Sequence, residues 1–254
     1  MSTPHVPRYE PLAEGWAFWR ETVFRREAYE PQLSFVPEGA QRGLDLGCGH
    51  GILTFPLAEH VSFAVGMDLA FSMIALARRK LRDPSAANVA FLVGDVAAPP
   101  FRAGTFDFVL SVNVLHHSDV ERSLPAIKAL LTARGRVAVT DVIALRPRLD
   151  GVWAYRVWRA ITWMPANVRR GGLRAGLKIL RFHLSADWLR RNSRAKPTLT
   201  QFHALYSRHF PGCTFGRNHA WSEAMFWEVP GPDTRPAGPQ SPNEMRVSAP
   251  APRG

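Results

Sequence analysis

With 254 residues, 46% of them hydrophobic, the chain can bury one sizeable core, and no uncharged apolar run approaches the roughly 18 residues needed to cross a bilayer. The first ten residues lack the basic-then-apolar layout of a secretory signal, and Cys48 and Cys213 are too few for a disulfide framework or a metal cluster, so one main domain in the reducing cytoplasm is expected. The formal charge of +11 is local: residues 145–210 hold fourteen arginines and lysines against Asp150 and Asp187, which leaves the rest of the chain close to neutral.

Residues 10–36, within an N-terminal helical segment 1–36, read as one amphipathic helix carrying Trp16, Phe18, Trp19, Val23 and Phe24. From Arg42 short apolar runs alternate with helical stretches. Strand 42–46 is followed by helix 52–59, strand 63–67, helix 72–81 and strand 90–93. Strand 107–112 then leads to a helical stretch ending near Leu131, which Pro125 is expected to break, and to strand 135–142. Residues 146–210 read as a basic helical insert in which Leu173, Leu177, Leu180 and Leu184 share one face beside Arg174, Lys178 and Arg181. Thr198 with Gln201 three positions on fits a capping box, opening a helix that Pro211 and Gly212 stop. Strands 213–217 and 221–229 would close the fold as an antiparallel pair. The composition of residues 230–254, rich in Pro, Gly, Ser and Ala, predicts a disordered tail. The sum is an α/β fold: a doubly wound, mostly parallel seven-stranded sheet over 37–145 and 211–229, with a helical cap inserted before the last two strands.

The most informative stretch is Leu44-Asp45-Leu46-Gly47-Cys48-Gly49-His50-Gly51, a strand running into a glycine-rich turn and then a helix. Glycines at alternate positions permit positive φ and a close backbone approach to a ligand, and the helix start offers unpaired N–H groups. A dinucleotide fingerprint needs glycine where Ile52 stands and has no use for an anionic Asp45 beside a pyrophosphate. A cationic sulfonium or ammonium would favour that carboxylate. Asp68 ends the second strand, Gly94-Asp95-Val96 the third, and Phe106-Asp107-Phe108-Val109-Leu110-Ser111 forms the fourth, followed by Val114-Leu115-His116-His117.

In register, these motifs resemble the class I S-adenosylmethionine (SAM) dependent methyltransferases, in particular the small-molecule branch related to the quinone-biosynthesis enzymes. The resemblance covers residues 40–145, with a weaker echo at 221–229. It implies SAM as cofactor, with Asp68 on the ribose hydroxyls, Asp95 and Val96 on the adenine, and the end of the fourth strand, Ser111 and Asn113, on the methionine part. The remaining implied contacts are Asp45, Gly47, Cys48, Gly49 and Gly51 of the turn, with Leu69 and Met73 after the second strand. The Pro-Gly-Gly turn frequent in the family is replaced by Thr132-Ala133-Arg134-Gly135, and Ser111-Val112-Asn113-Val114 differs from the Asn-Pro-Pro-Tyr segment of base and amide methylation. The function implied is methyl transfer to the O, N or C nucleophile of a small molecule.

Such a transfer needs positioning and no metal, and a histidine can remove a proton from a protic acceptor. His117 is the preferred base and His116 the alternative. The charge concentrated in 146–210 points to an acceptor carrying negative charge. A lipid or quinone methyltransferase working at a membrane surface is the second reading, and an RNA-binding or RNA-modifying protein the third.

Overall fold

The computed structural model describes residues 12–82, 84–144, 153–191, 196–219 and 221–231. The expected tail lies, from residue 232, outside the described residues, as do Arg146, Arg148 and Arg194 of the basic insert.

Seven strands form one sheet, β1 (Arg42–Leu46), β2 (Phe63–Asp68), β3 (Val89–Val93), β4 (Phe106–Val112), β5 (Leu131–Val142), β6 (Thr214–His219) and β7 (Ser222–Glu228), in the spatial order β3-β2-β1-β4-β5-β7-β6. All pairings are parallel except those of β7 with β5 and β6. The parallel strands are short apolar runs because helices cover both faces. Along β4, Phe108 and Leu110 join the core on one side and Val109 the core on the other, and all three are fully buried. From β1 the chain winds outward to β3 and then returns to β4 on the opposite flank. The carboxyl ends of β1 and β4 therefore flank the crevice where open α/β sheets hold ligands.

The N-terminal segment departs from the expected single helix. Helix α1 (Ala13–Val23) ends at Phe24, Arg25 is extended, and a 3₁₀ turn (Arg26–Tyr29) leads into the short α2 (Glu30–Leu33). The two parts have different partners: α1 packs along the cap, whereas Tyr29 and Leu33 are buried in the sheet core. Phe24 folds back to stack on Tyr29 at 5.6 Å, and one straight helix could not serve both places. Helix α3 (Thr54–Ala58) begins two residues later than the periodicity suggests, with Ile52 and Leu53 still in the turn that includes Gly51, at φ +81°. Helix α4 (Phe71–Lys80) follows β2 as expected.

Pro125 does not break α5 (Val120–Leu130). It is an exposed residue early in the helix, where its missing N–H costs a single backbone bond. α5 then passes directly into β5, which begins at Leu131 instead of near Gly135.

The insert opens with α6 (Trp153–His183), which Gly172, at φ 81° and ψ 170°, divides into two helical arms. Glycines set the packing. A Cβ on Gly176 would meet Val168 of the first arm at 2.4 Å, and one on Gly15 of α1 would meet Phe182 at 2.5 Å. Helix α7 (Ala186–Arg191) follows. The expected capping box is present at α8 (Leu199–His209), where the Thr198 N–H donates to Gln201 Oε1 at 2.9 Å and the Gln201 N–H donates to Thr198 Oγ1 at 3.3 Å. α8 buries Phe202 and Tyr206 in the sheet core, so α1, α6 and α7 form the layer above the carboxyl ends of β4 and β5.

Candidate functional site

The turn after β1 has φ of +70°, +55° and +81° at Gly47, Gly49 and Gly51, conformations that only glycine adopts without strain. Its start is pinned to β2, because the N–H groups of Gly47 and Cys48 both donate to the Met67 carbonyl, at 2.7 and 3.0 Å. Space demands glycine as well. A Cβ on Gly47 would lie 2.2 Å from Val114, whereas at Gly49 it would find only Met73 Sδ at 4.0 Å, so the backbone there faces open space. The carboxylate of Asp68 accepts the Gly49 N–H at 2.8 Å on one oxygen and the Ala70 N–H at 2.8 Å on the other. It is thereby fixed beside the turn.

Asp45 is buried, and its carboxylate accepts the Thr54 hydroxyl at 2.6 Å. Burial pushes its pKa up to about 7; the Thr54 bond opposes the rise and the Asp68 carboxylate adds to it. Burial also pushes the Cys48 thiol well up, which favours its neutral form. Met73 is buried, Leu69 stands 41% exposed, and exposed Asp95 accepts the Ala97 N–H at 2.9 Å next to buried Val96. At the end of β4, Asn113 has φ +60°, and its backbone N–H donates to the Thr140 carbonyl. Ser111 Oγ and Asn113 Oδ1 are buried with no hydrogen-bond partner.

A cavity opens next to Asn113, between the sheet and the cap. Its floor holds His116 and His117, from a 3₁₀ turn after β4, and Val142 and Ile143 at the end of β5. Its walls come from α1 (Trp16, Trp19, Arg20), the first arm of α6 (Arg156, Arg159, Trp163), His183, Trp188, Lys196 and Trp221. The expected histidines are both there, and the structure adds a partner that the sequence did not announce. Asp141 Oδ2 accepts the backbone N–H of His116 at 2.8 Å, and its other oxygen bonds His116 Nδ1, with both side chains under 10% exposed. That bond places the Nδ1 proton toward the carboxylate and leaves Nε2 as the nitrogen that can meet a ligand. The His117 ring lies 3.7 Å from that of His116. The signal for Asp141 was faint: an acidic residue near the end of an otherwise apolar run, Val137-Ala138-Val139-Thr140-Asp141-Val142.

A second unannounced residue is His50, inside the glycine turn. It is buried, its Nε2 lies 3.5 Å from Glu21 of α1, and burial pushes it down to about 4, so the contact is not an ion pair at neutral pH.

A family profile described as a methyltransferase domain matches residues 44–139. The 2-phytyl-1,4-naphtoquinone methyltransferase of Thermosynechococcus vestitus is 30% identical over 174 residues, 67% of this chain and 74% of that protein. The chain belongs to the class I SAM-dependent methyltransferases. This methyltransferase is also 34% identical to the aklanonic acid methyltransferase of a Streptomyces species over 42% of its own length, and it spans half the length of that relative. A SAM-dependent methyltransferase from Aquifex aeolicus superposes with a TM-score of 0.53 at 14% identity, over 83% of this chain and 92% of that one, a likeness of fold. SAM is the cofactor of the family. The residues of this methyltransferase suit it: an open backbone face at Gly49, a fixed carboxylate at Asp68, and two unpaired buried oxygens at Ser111 and Asn113.

Proposed function

We propose that this methyltransferase passes the SAM methyl group to a protic, negatively charged small molecule held in the cavity beneath the cap. In this reading Asp68 holds the ribose, Asp95 and Val96 the adenine, and Ser111 and Asn113 the methionine end, with Gly47, Cys48, Gly49, Gly51, Leu69 and Met73 shaping the pocket. Asp45, once ionised, favours the cationic cofactor over its neutral product. SAM supplies an electrophilic methyl carbon. The protein supplies position and a base: His116 Nε2 takes the acceptor proton while Asp141 holds the ring orientation and stabilises the resulting imidazolium. In this reading His117, the residue first expected in that role, packs against its neighbour.

The observation that carries this reading is the His116–Asp141 pair in the floor of a cavity that begins at Asn113. Negative charge on the acceptor is supported by Arg20, Arg156, Arg159 and Lys196, since no carboxylate lines the cavity among the described residues. A screen of candidate acceptors with labelled SAM tests it. Label should pass to acidic small molecules with wild-type protein and fall at least about tenfold with His116→Gln; undiminished transfer by that variant would remove the base.

One observation favours a second reading, an acceptor met at a membrane surface. No helix among the described residues is long and apolar enough to cross a membrane, but Leu173 and Leu177 are exposed on the second arm of α6 and Leu184 in the turn just after it. At about 100° per residue Leu173 and Leu177 lie roughly 40° apart, and Arg181, Arg174 and Lys178 follow between about 80° and 140° from Leu173. That is an apolar stripe edged by cations, the pattern of an interfacial helix. Flotation with vesicles containing phosphatidylglycerol, absent with phosphatidylcholine alone, would support it; no flotation with either would end it.

A further inference from the structure

We infer that the cavity recognises a planar aromatic acid, with stacking walls for the ring system, a cationic wall for its acidic group, and His116 at the atom to be methylated. The inference rests on reading this cavity as the acceptor site and narrows the acceptor to one chemical class.

The first support is where the tryptophans are. The chain has eight, and Trp16, Trp19, Trp163, Trp188 and Trp221 all line this one cavity. They come from four separate parts of the chain, so no local periodicity assembles them. If they served only as a core for the cap they would be buried, yet each remains partly exposed. Trp16 and Trp188 both meet Trp19 edge-on, at interplanar angles of 75° and 72°. Each of the five keeps part of its surface open to the cavity, and a flat ligand covers such surfaces at little entropic cost because each tryptophan has few rotors to fix.

The second support is the charge on the same walls. Arg156 and Arg159 belong to the first arm of α6, and Lys196 joins them. The Arg159 guanidinium lies over the Trp163 ring, 4.3 Å from its centroid, an arrangement that holds the planar fork in place on the cavity wall. A guanidinium so held suits the two oxygens of a carboxylate, or of an ionised phenol beside a carbonyl, better than a lone hydroxyl. His183, buried on the same side, has an unpartnered Nδ1, and burial with Arg159 nearby holds the ring down to about 4. It is therefore a neutral hydrogen-bonding group at physiological pH.

The third support is the separation of functions. His116 and Asp141 are anchored to the ends of β4 and β5, whereas Arg156 and Arg159 come from the cap. An acceptor with its acidic group on the cap and its nucleophile on the sheet spans the tryptophans between them. An aliphatic acid would leave those rings uncovered, and a neutral arene would make no use of the Arg159 guanidinium.

Calorimetry and tryptophan fluorescence on the protein saturated with S-adenosylhomocysteine test this without turnover. Three probes are compared: a hydroxynaphthoate, its neutral methyl ester, and an aliphatic hydroxy acid of similar length. The naphthoate should quench tryptophan emission and bind at least about tenfold more tightly than either other probe, and its affinity should fall as salt rises. Arg159→Gln should abolish the preference for acid over ester while leaving the S-adenosylhomocysteine affinity and melting temperature of wild type. Equal binding of ester and acid, equal binding of the aliphatic acid, or an unchanged preference in Arg159→Gln would each overturn the inference. Binding that leaves methyl transfer untouched would sink the site reading alone, and transfer to some acceptor without naphthoate binding would sink only the aromatic acid.

Discussion

Removing the charge of Asp45 should make the free protein more stable and the SAM complex weaker. Asp45 is 2% exposed and its pKa is raised from 3.8 to about 7. The folded state therefore binds this proton more tightly than the unfolded chain does between about pH 4 and pH 7. Stability associated with the group is greatest below that window and is lost as pH rises through it. The shift corresponds to about 4 kcal/mol as an upper bound, and relaxation around the carboxylate will reduce it. Asp45→Asn has no proton to lose and its amide oxygen can still accept the Thr54 hydroxyl. For a chain of this length about 1 kcal/mol moves the melting temperature by roughly 2–4 °C. The variant should therefore melt several degrees above wild type near pH 8, with the gain shrinking toward pH 5. SAM should raise the melting temperature of wild type more than that of the variant, because only the carboxylate favours the cation. An Asp45→Asn protein that melts lower than wild type at both pH values by the same amount would refute the reasoning.

Gly47→Ala should lower the melting temperature and weaken SAM binding by more than tenfold, because it adds a clash with Val114 to the positive-φ strain; Gly104→Ala, at φ +66° with nothing within 4 Å, should cost only about 1–2 kcal/mol and keep SAM affinity. His116→Gln should lower kcat by about 10² to 10⁴ with SAM affinity intact, and Asp141→Asn should lower kcat and displace the pH profile of kcat/KM, whereas a purely structural role would move the melting temperature alone. His183 is lowered from 6.5 to about 4, so its contribution is present above about pH 6.5 and is lost as pH falls toward 4, at most about 3 kcal/mol; thermal melts of His183→Gln should show a flatter acid limb.

The sheet was legible in the sequence because its central strands are apolar runs bounded by turn residues, and strand 42–46 was placed to the residue. The break of the N-terminal helix was not, since it follows from Tyr29 entering the sheet core and Phe24 stacking on it, contacts with no local signature. The second arm of α6 shows periodicity without orientation: the leucine stripe is the most apolar face, yet Gly176, Ile179 and His183 are the buried residues. The three glycines of the turn take the positive φ that their spacing predicts, and Asp68 accepts a bond from Gly49 among them. Asp141 was missed because on a buried strand an acidic residue looks the same whether it caps, pairs or orients a histidine 25 positions away. The cavity was equally invisible, since its tryptophans are brought together only by the cap closing over β4 and β5.

Titration calorimetry of SAM into wild type and a folded Asp68→Ala variant tests the central claim most directly, because the proposed ribose contact is that carboxylate, fixed by its bonds to Gly49 and Ala70. A hydrogen bond to a charged group is worth about 1.5–3 kcal/mol, so SAM should bind wild type and bind the variant roughly tenfold to a hundredfold more weakly, with no heat from NAD in either. Unchanged SAM affinity in the variant, or binding of NAD in place of SAM, would contradict the account.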